Sequence, residues 1–538
     1  MKELVFHRQF VPMLERWPDK VGFHDGDRSR TFAEHGDRVL RLVDAMRRQL
    51  GLRSDDRFAV MACNGLPYLE LYHAGFLGGG VINPLNLRLA GKELQYILAD
   101  SGTTVAFVDA VFADHFIRNI AEVRADLPLR HVVLIGDPLG GGPVGDGEVG
   151  GAAPCDLRYD DLIASGEPNM PPEPDEHDPA VLMYTGGTTG SAKGALLEQR
   201  AEMLNLYHIG LALGFGGDRV YLHQTPMFHA ASMGGILGIP ATGGTSVFVP
   251  LFEPEAVMAT IERHRVNWTL MVPTMLAMLL QHQAFRPERL SSLRDLVYGA
   301  SPMPASLLDR TMTLFPELDL WQGYGMTECS SVLTFLTADD HRRGGALLQS
   351  AGRPAMGVQV TVRNPEGAVV ASGVDGEVWA RGGNFMREYW HRPEQTDAVM
   401  VDGWYHTGDA GHLDDEGYLY LVDRLNDMIV TGGENVYSIE VENVLSSHPA
   451  VSQVAVIGIP HDLWGEQVHA IVVLNDTTEV TGTLENELRE HAKRSIAAYK
   501  VPKSFEFRTE PIPLSGALKP LKRELRRPYW EGRASAVH

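Results

Sequence analysis

Short apolar runs alternate with helical patterns over a long part of the chain, from about residue 31 to residue 320. Strands that alternate with helices imply right-handed crossovers, and these produce mainly parallel sheets with helices on both faces. The sequence therefore predicts an α/β fold. The clearest apolar runs lie at residues 58–61, 105–108, 132–135, 180–183 and 247–249.

The texture of the sequence changes twice after this region. From Gly357 onward, short alternating segments separated by turn residues predict a small β-rich subdomain, with strands near 358–362 and 376–380. After Arg424, a polar segment suited to a hinge precedes a smaller α+β pattern. This pattern consists of a helix at 438–447, strands at 454–459 and 469–474, a helix at 484–494 and a tail rich in Lys and Arg.

A chain of 538 residues is longer than one hydrophobic core usually organises. We therefore predict a large N-terminal domain spanning residues 1–424 and a smaller, mobile C-terminal domain spanning residues 425–538. The segment 139–154 is rich in glycine and offers little that could form a core. We expect it to be a mobile surface loop of the first domain.

The charge balance argues against several classes of partner. The chain carries 47 Lys and Arg against 69 Asp and Glu, a formal net charge of -22, whereas a protein that binds nucleic acid needs a basic face. No run approaches the roughly 18 apolar residues of a membrane span, and charges interrupt the N-terminal segment. A basic amphipathic pattern at residues 38–53 is interpreted as the solvated face of a core helix, with a membrane-surface helix as the alternative. We expect a soluble protein.

Cysteine usage indicates a reducing environment. Cys63, Cys155 and Cys329 are widely spaced, odd in number and without a CxxC pair, so neither a disulfide framework nor a zinc site is indicated. The cytoplasm is therefore the expected location. The sequence leaves a monomer and a homodimer both open.

Residues 184–194 combine the features of a phosphate-binding loop. Glycines at 186, 187 and 190 let the backbone approach an anion closely, while hydroxyls and a lysine supply donors and positive charge. The alternative is a flexible Gly/Thr turn. The segment is not a Walker loop, because two residues separate Gly190 from Lys193 and Gly194 follows. The candidate phosphate-binding residues are Thr185, Gly186, Gly187, Thr188, Thr189, Gly190, Ser191 and Lys193.

A second polar cluster lies at residues 322–328, where Gln322, Gly323 and Gly325 surround an aromatic residue. Tyr324 can stack on a base and Thr327 can donate to a phosphate. Glu328 can hold Mg²⁺, a hard cation that favours oxygen ligands. This tightly spaced cluster predicts a nucleotide and metal site.

Two further motifs carry candidate site residues. Asp409 follows a glycine turn, where its carboxylate could accept two ribose hydroxyls, although a turn-forming aspartate is an equal alternative. Arg424 could join Asp409 on the same nucleotide. Lys519 lies in a turn-rich segment before a helical pattern at residues 522–526, and alone it would be one surface lysine among many.

In this order, the motifs resemble those of the adenylate-forming superfamily, which contains acyl-CoA synthetases, peptide-synthetase adenylation domains and firefly luciferase. The resemblance runs from about residue 28 to residue 527. It implies a large lobe that binds ATP and a carboxylic acid, and a small lobe that rotates between two half-reactions. The expected activity is an AMP-forming acyl-CoA ligase that uses ATP, Mg²⁺ and coenzyme A.

The resemblance also implies a role for each matching residue. Thr185, Ser191 and Lys193 would bind the ATP phosphates, Tyr324 the adenine, Thr327 the α-phosphate, Glu328 the Mg²⁺, Asp409 and Arg424 the ribose, and Gly299, Ala300 and Ser301 would form the adenine-side loop. Lys519 would contact the carboxylate and the α-phosphate during adenylation. His229 would gate the acid and thiol channels, with a structural histidine as the alternative, and Gly432, Gly433 and Glu434 would border the pantetheine tunnel.

Two positions depart from the family pattern. The hinge usually carries Asp or Lys where this chain has Asn426, and this change could alter the lobe equilibrium. Leu518 stands where a glycine usually precedes the catalytic lysine, and leucine would be strained if the position needs a positive φ.

The acid pocket is expected around residues 227–235, 298–301 and 323–331. Small residues together with Met233 and Met326 predict an open apolar channel without a charge for an amino group. A medium- or long-chain fatty acid fits this expectation, and aryl or steroid-side-chain acids stay open. Two other functions also stay open. One is an acyl-adenylate donor to a separate carrier protein, or an oxygenase-like relative, and the other is a non-catalytic nucleotide-binding paralogue.

Overall fold

The computed structural model describes residues 4–136, 155–185, 192–424, 428–431, 434–461, 464–475, 480, 482–515 and 520–531, with only the backbone at 423, 424, 430, 434 and 435. The expected loop at 139–154, the hinge residue Asn426 and Leu518 lie outside these residues.

The described strands are β1 (Val21–Asp25), β2 (Arg28–Thr31), β3 (Arg57–Met61), β4 (Val81–Pro84), β5 (Val105–Asp109), β6 (His131–Ile135), β7 (Leu157–Arg158), β8 (Pro179–Thr185), β9 (Lys193–Glu198), β10 (Val220–His223), β11 (Thr245–Phe248), β12 (Trp268–Met271), β13 (Asp295–Gly299), β14 (Asp319–Tyr324), β15 (Thr334–Leu336), β16 (Arg353–Pro354), β17 (Gln359–Arg363), β18 (Gly376–Arg381), β19 (Glu388–Tyr389), β20 (Met400–Val401), β21 (Trp404–Leu413), β22 (Leu419–Arg424), β23 (Ile429–Thr431), β24 (Glu434–Val436), β25 (Val451–His461), β26 (Gly465–Leu474) and β27 (Ser504–Arg508).

The described α-helices are α1 (His7–Arg16), α2 (Phe32–Arg48), α3 (Leu66–Ala74), α4 (Gly91–Ser101), α5 (Ala110–Ile120), α6 (Tyr159–Ala164), α7 (Gln199–Leu213), α8 (Ile239–Ala241), α9 (Pro254–His264), α10 (Pro273–Gln281), α11 (Ala305–Leu314), α12 (Ala338–Arg343), α13 (Pro393–Val399), α14 (Ser438–Ser446), α15 (Leu484–Lys493) and α16 (Lys522–Trp530).

Two large sheets form the body of the protein. The nine-stranded sheet has the order β16-β15-β14-β13-β12-β10-β11-β1-β2, and the eight-stranded sheet has the order β19-β9-β8-β4-β3-β5-β6-β7. Their central strands pair in parallel, and antiparallel strands stand at the edges. The prediction of an α/β fold with mainly parallel sheets is confirmed. Four of the five apolar runs lie in β3, β5, β6 and β8, and the run 247–249 overlaps the end of β11 at Phe248.

The predicted β-rich subdomain is a five-stranded antiparallel sheet. Its order is β17-β18-β21-β20, and β22 pairs with β21. In the ladder between β21 and β22, Asp409 stands opposite Arg424. The pairing of these two strands thus brings together the backbones of the two residues expected at the ribose.

The C-terminal part has the predicted α+β pattern. The strands form the order β24-β23-β26-β25, with β27 pairing in parallel to β26, and α14, α15 and α16 accompany them. The strand β25 is longer than expected, because its ladder with β26 continues through polar residues from Val451 to His461. The short strands β23, β24 and β27 were not predicted.

The basic helix α2 packs on the core as expected. Its start is fixed by a capping box, in which the Thr31 side chain accepts from the Glu34 backbone and the Glu34 side chain accepts from Thr31. Apolar residues such as Val39 and Met46 are buried, while Arg41 pairs with Asp37 on the surface. Among the described residues, no helix is long and apolar enough to span a bilayer.

Candidate active site

The two ends of the predicted phosphate loop are held together by a strand pair. In the antiparallel ladder of β8 and β9, Thr185 stands opposite Lys193, and the Thr185 hydroxyl donates to the Lys193 carbonyl at 3.4 Å. The glycines and hydroxyl-bearing residues between them, 186–191, lie outside the described part of the chain. The Lys193 Nζ lies 5.0 Å from the centroid of the Tyr389 ring.

The Tyr389 hydroxyl connects this lysine to the predicted metal ligand. It donates to Glu328 Oε1 at 2.8 Å and lies 3.2 Å from the Tyr405 hydroxyl. Glu328 is only 8% exposed. Burial, followed by the charge of Glu328, raises the pKa of Tyr389 well above its ordinary value, so the phenol stays protonated and keeps donating.

Glu328 lies on a tightly constrained turn. The short 3₁₀ helix Thr327–Cys329 is followed by Ser330 and Ser331, which have φ angles of 58° and 122°. Ala300, in the predicted adenine-side loop, has a φ of 65°. These are three of the six non-glycine residues with positive φ in the described ranges, and such strain is concentrated at functional sites in proteins.

Gly325 is required sterically at the start of this turn. A Cβ atom at this position would lie 2.1 Å from the Ser331 carbonyl oxygen, whereas one at Gly323 would meet nothing closer than a Phe335 ring carbon at 3.9 Å. We expect Gly325→Ala to lower the free energy of unfolding by about 1–3 kcal/mol, and Gly323→Ala to change it little. Thermal unfolding of both variants measures this. Equal Tm values would contradict the steric argument.

The predicted nucleoside residues also meet. The Tyr324 hydroxyl donates to Asp409 Oδ2 at 2.6 Å, and Asp409 is 6% exposed. Burial, followed by the charge of Asp409, raises the pKa of Tyr324 well above its ordinary value. The Asp409 backbone amide donates to the Thr407 hydroxyl, which fixes the strand on which the carboxylate lies.

The adenine-side loop follows the neighbouring strand. Gly299 at the end of β13 pairs with Gly323 in β14, and a Cβ at Gly299 would lie 2.3 Å from the Gly323 carbonyl oxygen. The Gln322 side chain accepts from the Tyr298 hydroxyl at 3.3 Å. The segments 299–301 and 322–325 therefore lie side by side at the carboxyl ends of parallel strands, where α/β sheets hold ligands.

The structure places fewer of the residues expected on the thiol side. His229 caps a short 3₁₀ helix, and its Nδ1 accepts from the Ala231 amide at 3.2 Å. Met227 and Phe228 before it are buried. Glu434 pairs with Thr431 through the backbone. Gly432 and Gly433 of the predicted pantetheine tunnel lie outside the described residues, and so does Lys519, the lysine predicted to act in adenylation.

Sequence reasoning missed the residues that support the turn from other elements. Tyr389 reaches Glu328 because β19 pairs with β9 in a register that sets Tyr389 opposite Ala195. The buried Asn384 side chain donates to the carbonyls of Cys329 and Val332, on both sides of the strained serines. No local pattern marks either residue, since both act through long-range pairing.

A buried carboxyl group on α7 was also missed. The Glu202 side chain is fully buried, and burial raises its pKa from 4.5 to about 8, while the Ser330 hydroxyl acts in the opposite direction. The sequence does contain a signal for this buried group, because an ionisable residue stands close to the apolar residues Met203 and Leu206.

This pKa shift predicts a pH-dependent stability. The folded protein keeps the Glu202 proton up to about pH 8, while the unfolded chain releases it above about pH 4.5, so the free energy of unfolding falls as the pH rises through this window. We expect the Tm of Glu202→Gln, relative to wild type, to rise from pH 5 to pH 8. Thermal unfolding across this range measures the difference. Glu394→Gln at an exposed position is the control, and a difference independent of pH would contradict the shift.

The side-chain donors of the site fit Mg²⁺ that is bound together with a nucleotide. In the described ranges, no group of three or more His, Cys, Asp or Glu side chains could hold a metal ion. Mg²⁺ bound to a nucleotide needs no such group, because one or two carboxylates together with substrate phosphates and water complete its coordination. Glu328, a buried carboxylate whose position is fixed by Tyr389, fits this mode.

Comparisons with known proteins identify the family. Residues 10–390 match the family model of the AMP-binding enzyme, and residues 440–519 match that of the AMP-binding enzyme C-terminal domain. The chain therefore belongs to the AMP-binding enzymes of the adenylate-forming superfamily. Its relatives include acyl-CoA synthetases, and it is an AMP-forming acid–thiol ligase.

Similarity to individual proteins covers nearly the whole chain. A feruloyl-CoA synthase of Amycolatopsis sp is 37% identical over 95% of this chain and 96% of its own. The long-chain-fatty-acid–CoA ligase FadD13 of Mycobacterium tuberculosis is 33% identical over 93% of each chain. The solved o-succinylbenzoate CoA synthetase of Bacillus subtilis, in complex with its acyl-adenylate intermediate, is 28% identical with a TM-score of 0.81, over 98% of this chain and 99% of that one.

Proposed function

We propose that this ATP-dependent ligase activates an apolar monocarboxylic acid and transfers its acyl group to coenzyme A. In the first half-reaction, a carboxylate oxygen attacks the α-phosphorus of ATP, which forms the acyl-adenylate and releases pyrophosphate. In the second, the CoA thiolate attacks the acyl carbonyl, which forms the thioester and releases AMP. The observation that supports this best is the linkage of Lys193 to Glu328 through Tyr389, beside the Tyr324–Asp409 pair.

The proposed roles follow from the negative charges that approach each other during adenylation. Carboxylate and triphosphate repel each other, so the site needs positive charge and fixed donors aimed at the charge that develops in the transition state. Lys193, with the hydroxyls of 185–191, would bind the phosphates, and Thr327 the α-phosphate. Asp409 and Arg424 would bind the ribose, and Lys519 would draw the carboxylate to the α-phosphate. Mg²⁺, held by Glu328 and the phosphates, would supply further neutralising charge.

The second half-reaction depends on the C-terminal part in this proposal. A division of the chain at residues 424 and 425 would let the lobe carrying Lys519 rotate away and bring Gly432, Gly433 and Glu434 to the pantetheine of CoA. His229 would separate the acid and thiol channels. A cytoplasmic location fits a reaction that uses ATP and CoA.

The acid is proposed as a medium- or long-chain fatty acid or an aryl acid. The first two relatives above are named for these two classes. Thioester formation should be assayed with ATP, Mg²⁺ and CoA on saturated acids of graded length and on aryl acids. A thioester with at least one series supports the proposal. Adenylate formation without CoA turnover would instead indicate a donor to a carrier protein, and ATP binding without pyrophosphate release a non-catalytic paralogue.

Tyr389 is expected to position Glu328. Tyr389→Phe removes the donor to Glu328 Oε1 and keeps the ring beside Lys193, so we expect a loss of roughly 10-fold in kcat/KM for ATP and a higher Mg²⁺ requirement. Initial rates over a Mg²⁺ titration measure this. Tyr207→Phe, at a surface tyrosine that bonds Gln9, is the matched control. An unchanged Mg²⁺ profile would show that Tyr389 does not position Glu328 for metal binding.

A further inference from the structure

The helix α7 buries a row of polar side chains in addition to apolar ones such as Met203 and Leu206. It buries Glu202, Asn205 and His208, which follow one another at intervals of three residues. On the other face it exposes two large apolar residues, Tyr207 at 38% and Leu211 at 65%. A core helix buries apolar residues and usually turns its polar ones to water, so the additional buried polar row requires an explanation.

The Ser330 hydroxyl lies close enough to the Glu202 carboxyl group to lower its pKa. Within the described residues, however, neither Glu202 oxygen nor Ser330 Oγ has a hydrogen bond of normal length and angle. Tyr72 faces Glu202 from α3, but its hydroxyl donates to the Met227 carbonyl at 2.7 Å. Because burial keeps the carboxyl protonated at neutral pH, Glu202 can both donate and accept a hydrogen bond.

Asn384 adds an acceptor beside the same turn. Its Nδ2 donates to the carbonyls of Cys329 at 2.9 Å and Val332 at 3.0 Å, which fixes the orientation of the amide. Its buried Oδ1 has no partner in the described part of the chain. The neighbouring Gly383 approaches α7 closely, since a Cβ there would lie 2.5 Å from the Leu204 side chain.

One of these groups, Ser330, belongs to a segment predicted to line the acid channel. Met227, whose carbonyl accepts from Tyr72, belongs to a second such segment. Glu202 interacts with both Ser330 and Tyr72, since Ser330 lowers the pKa of Glu202 and Glu202 raises that of Tyr72. Buried polar atoms without partners are costly, and a purely apolar acyl group would leave them unpaired. Since acceptors predominate, the complementary ligand group is a hydrogen-bond donor.

We propose that Glu202, Ser330 and Asn384 form a polar subsite that recognises a hydroxyl group on the acyl part of the substrate. The substrate class is then a hydroxylated monocarboxylic acid, either a phenolic aryl acid or a hydroxylated fatty acid. The inference rests on the proposed function, because the hydroxyl is recognised in the acid pocket of the ligase. Glu202 sets specificity and takes no part in the bond changes.

The experiment compares acids that differ by one hydroxyl. The pairs are cinnamate with 4-hydroxycinnamate, and decanoate with 10-hydroxydecanoate, each assayed for thioester formation with ATP, Mg²⁺ and CoA. For wild type, we expect kcat/KM for the hydroxylated acid of one pair to exceed that of its partner by on the order of 10²-fold. The pair that shows this preference identifies the aryl or the alkyl source.

Substitution of Glu202 separates recognition from structure. Glu202→Leu should bring the ratio close to one, mainly by loss of the hydroxylated acid, and should raise the Tm, because an unpaired buried polar group is replaced by an apolar one. Glu202→Gln should keep part of the preference. Leu211→Ala, on the exposed face of the same helix, should leave the ratio unchanged.

Failure of the polar subsite and failure of the ligase function give different results. If wild type forms thioesters from both members of each pair at equal kcat/KM, or if Glu202→Leu keeps the wild-type ratio, the polar subsite is refuted while the ligase function stands. If no acid gives a thioester or an adenylate, the proposed function itself fails.

Discussion

Lys519→Ala should abolish acyl-adenylate formation, with a loss on the order of 10²- to 10³-fold or more, while CoA transfer from a supplied acyl-adenylate stays largely intact. The reason is electrostatic. Two anions must approach during adenylation, and this lysine is assigned to neutralise both. In the proposed second half-reaction its lobe would have rotated away, and the thiolate would attack a carbonyl that is already activated.

Single-turnover assays of each half-reaction measure this separation. Lys493→Ala, which removes an exposed lysine paired with Glu490, is the matched control and should leave both steps unchanged. Gly433→Trp should give the opposite pattern, because a bulky side chain would obstruct the proposed pantetheine tunnel. Equal losses in both steps for Lys519→Ala would contradict its assigned role.

Glu328→Gln should lower the rate of adenylation by on the order of 10²-fold and increase the Mg²⁺ concentration needed for half-maximal rate. The amide keeps the size of the side chain and can still accept from Tyr389. What it loses is the negative charge that a hard divalent cation favours. The expected defect is therefore in metal-assisted catalysis and not in folding.

Initial rates over a Mg²⁺ titration, together with the Tm of the variant, test this prediction. Glu366→Gln, at an exposed position, should behave as wild type in both measurements. A Glu328→Gln variant with a wild-type Mg²⁺ profile and rate would show that the metal is bound elsewhere.

Local sequence patterns predicted most of the fold. The apolar runs at 58–61 and 105–108 lie within β3 and β5, and the C-terminal helix expected at 484–494 is α15, Leu484–Lys493. These elements follow from periodicity over a few residues, which the sequence displays directly. The short strands β23 and β24 carry too few residues for a periodic signal, and they exist because they pair with each other and with β26.

The motif residues of the site were predictable, but their supports were not. Tyr324 and Asp409 stand in glycine-rich motifs, and the fold brings them within hydrogen-bond distance. Tyr389 and Asn384 act through contacts with residues more than 50 positions away, so no local pattern identifies them. Glu202 reverses the usual rule, since polar residues on a helix are expected to face water.

The central claim is that one pocket neutralises a carboxylate and a triphosphate so that they react. Exchange of labelled pyrophosphate into ATP, measured with purified protein, Mg²⁺ and the panel of fatty, aryl and hydroxylated acids, tests it most directly. We expect pyrophosphate exchange into ATP that requires an acid and proceeds without CoA. Absence of exchange with every acid, in protein that is folded and binds ATP, would contradict it.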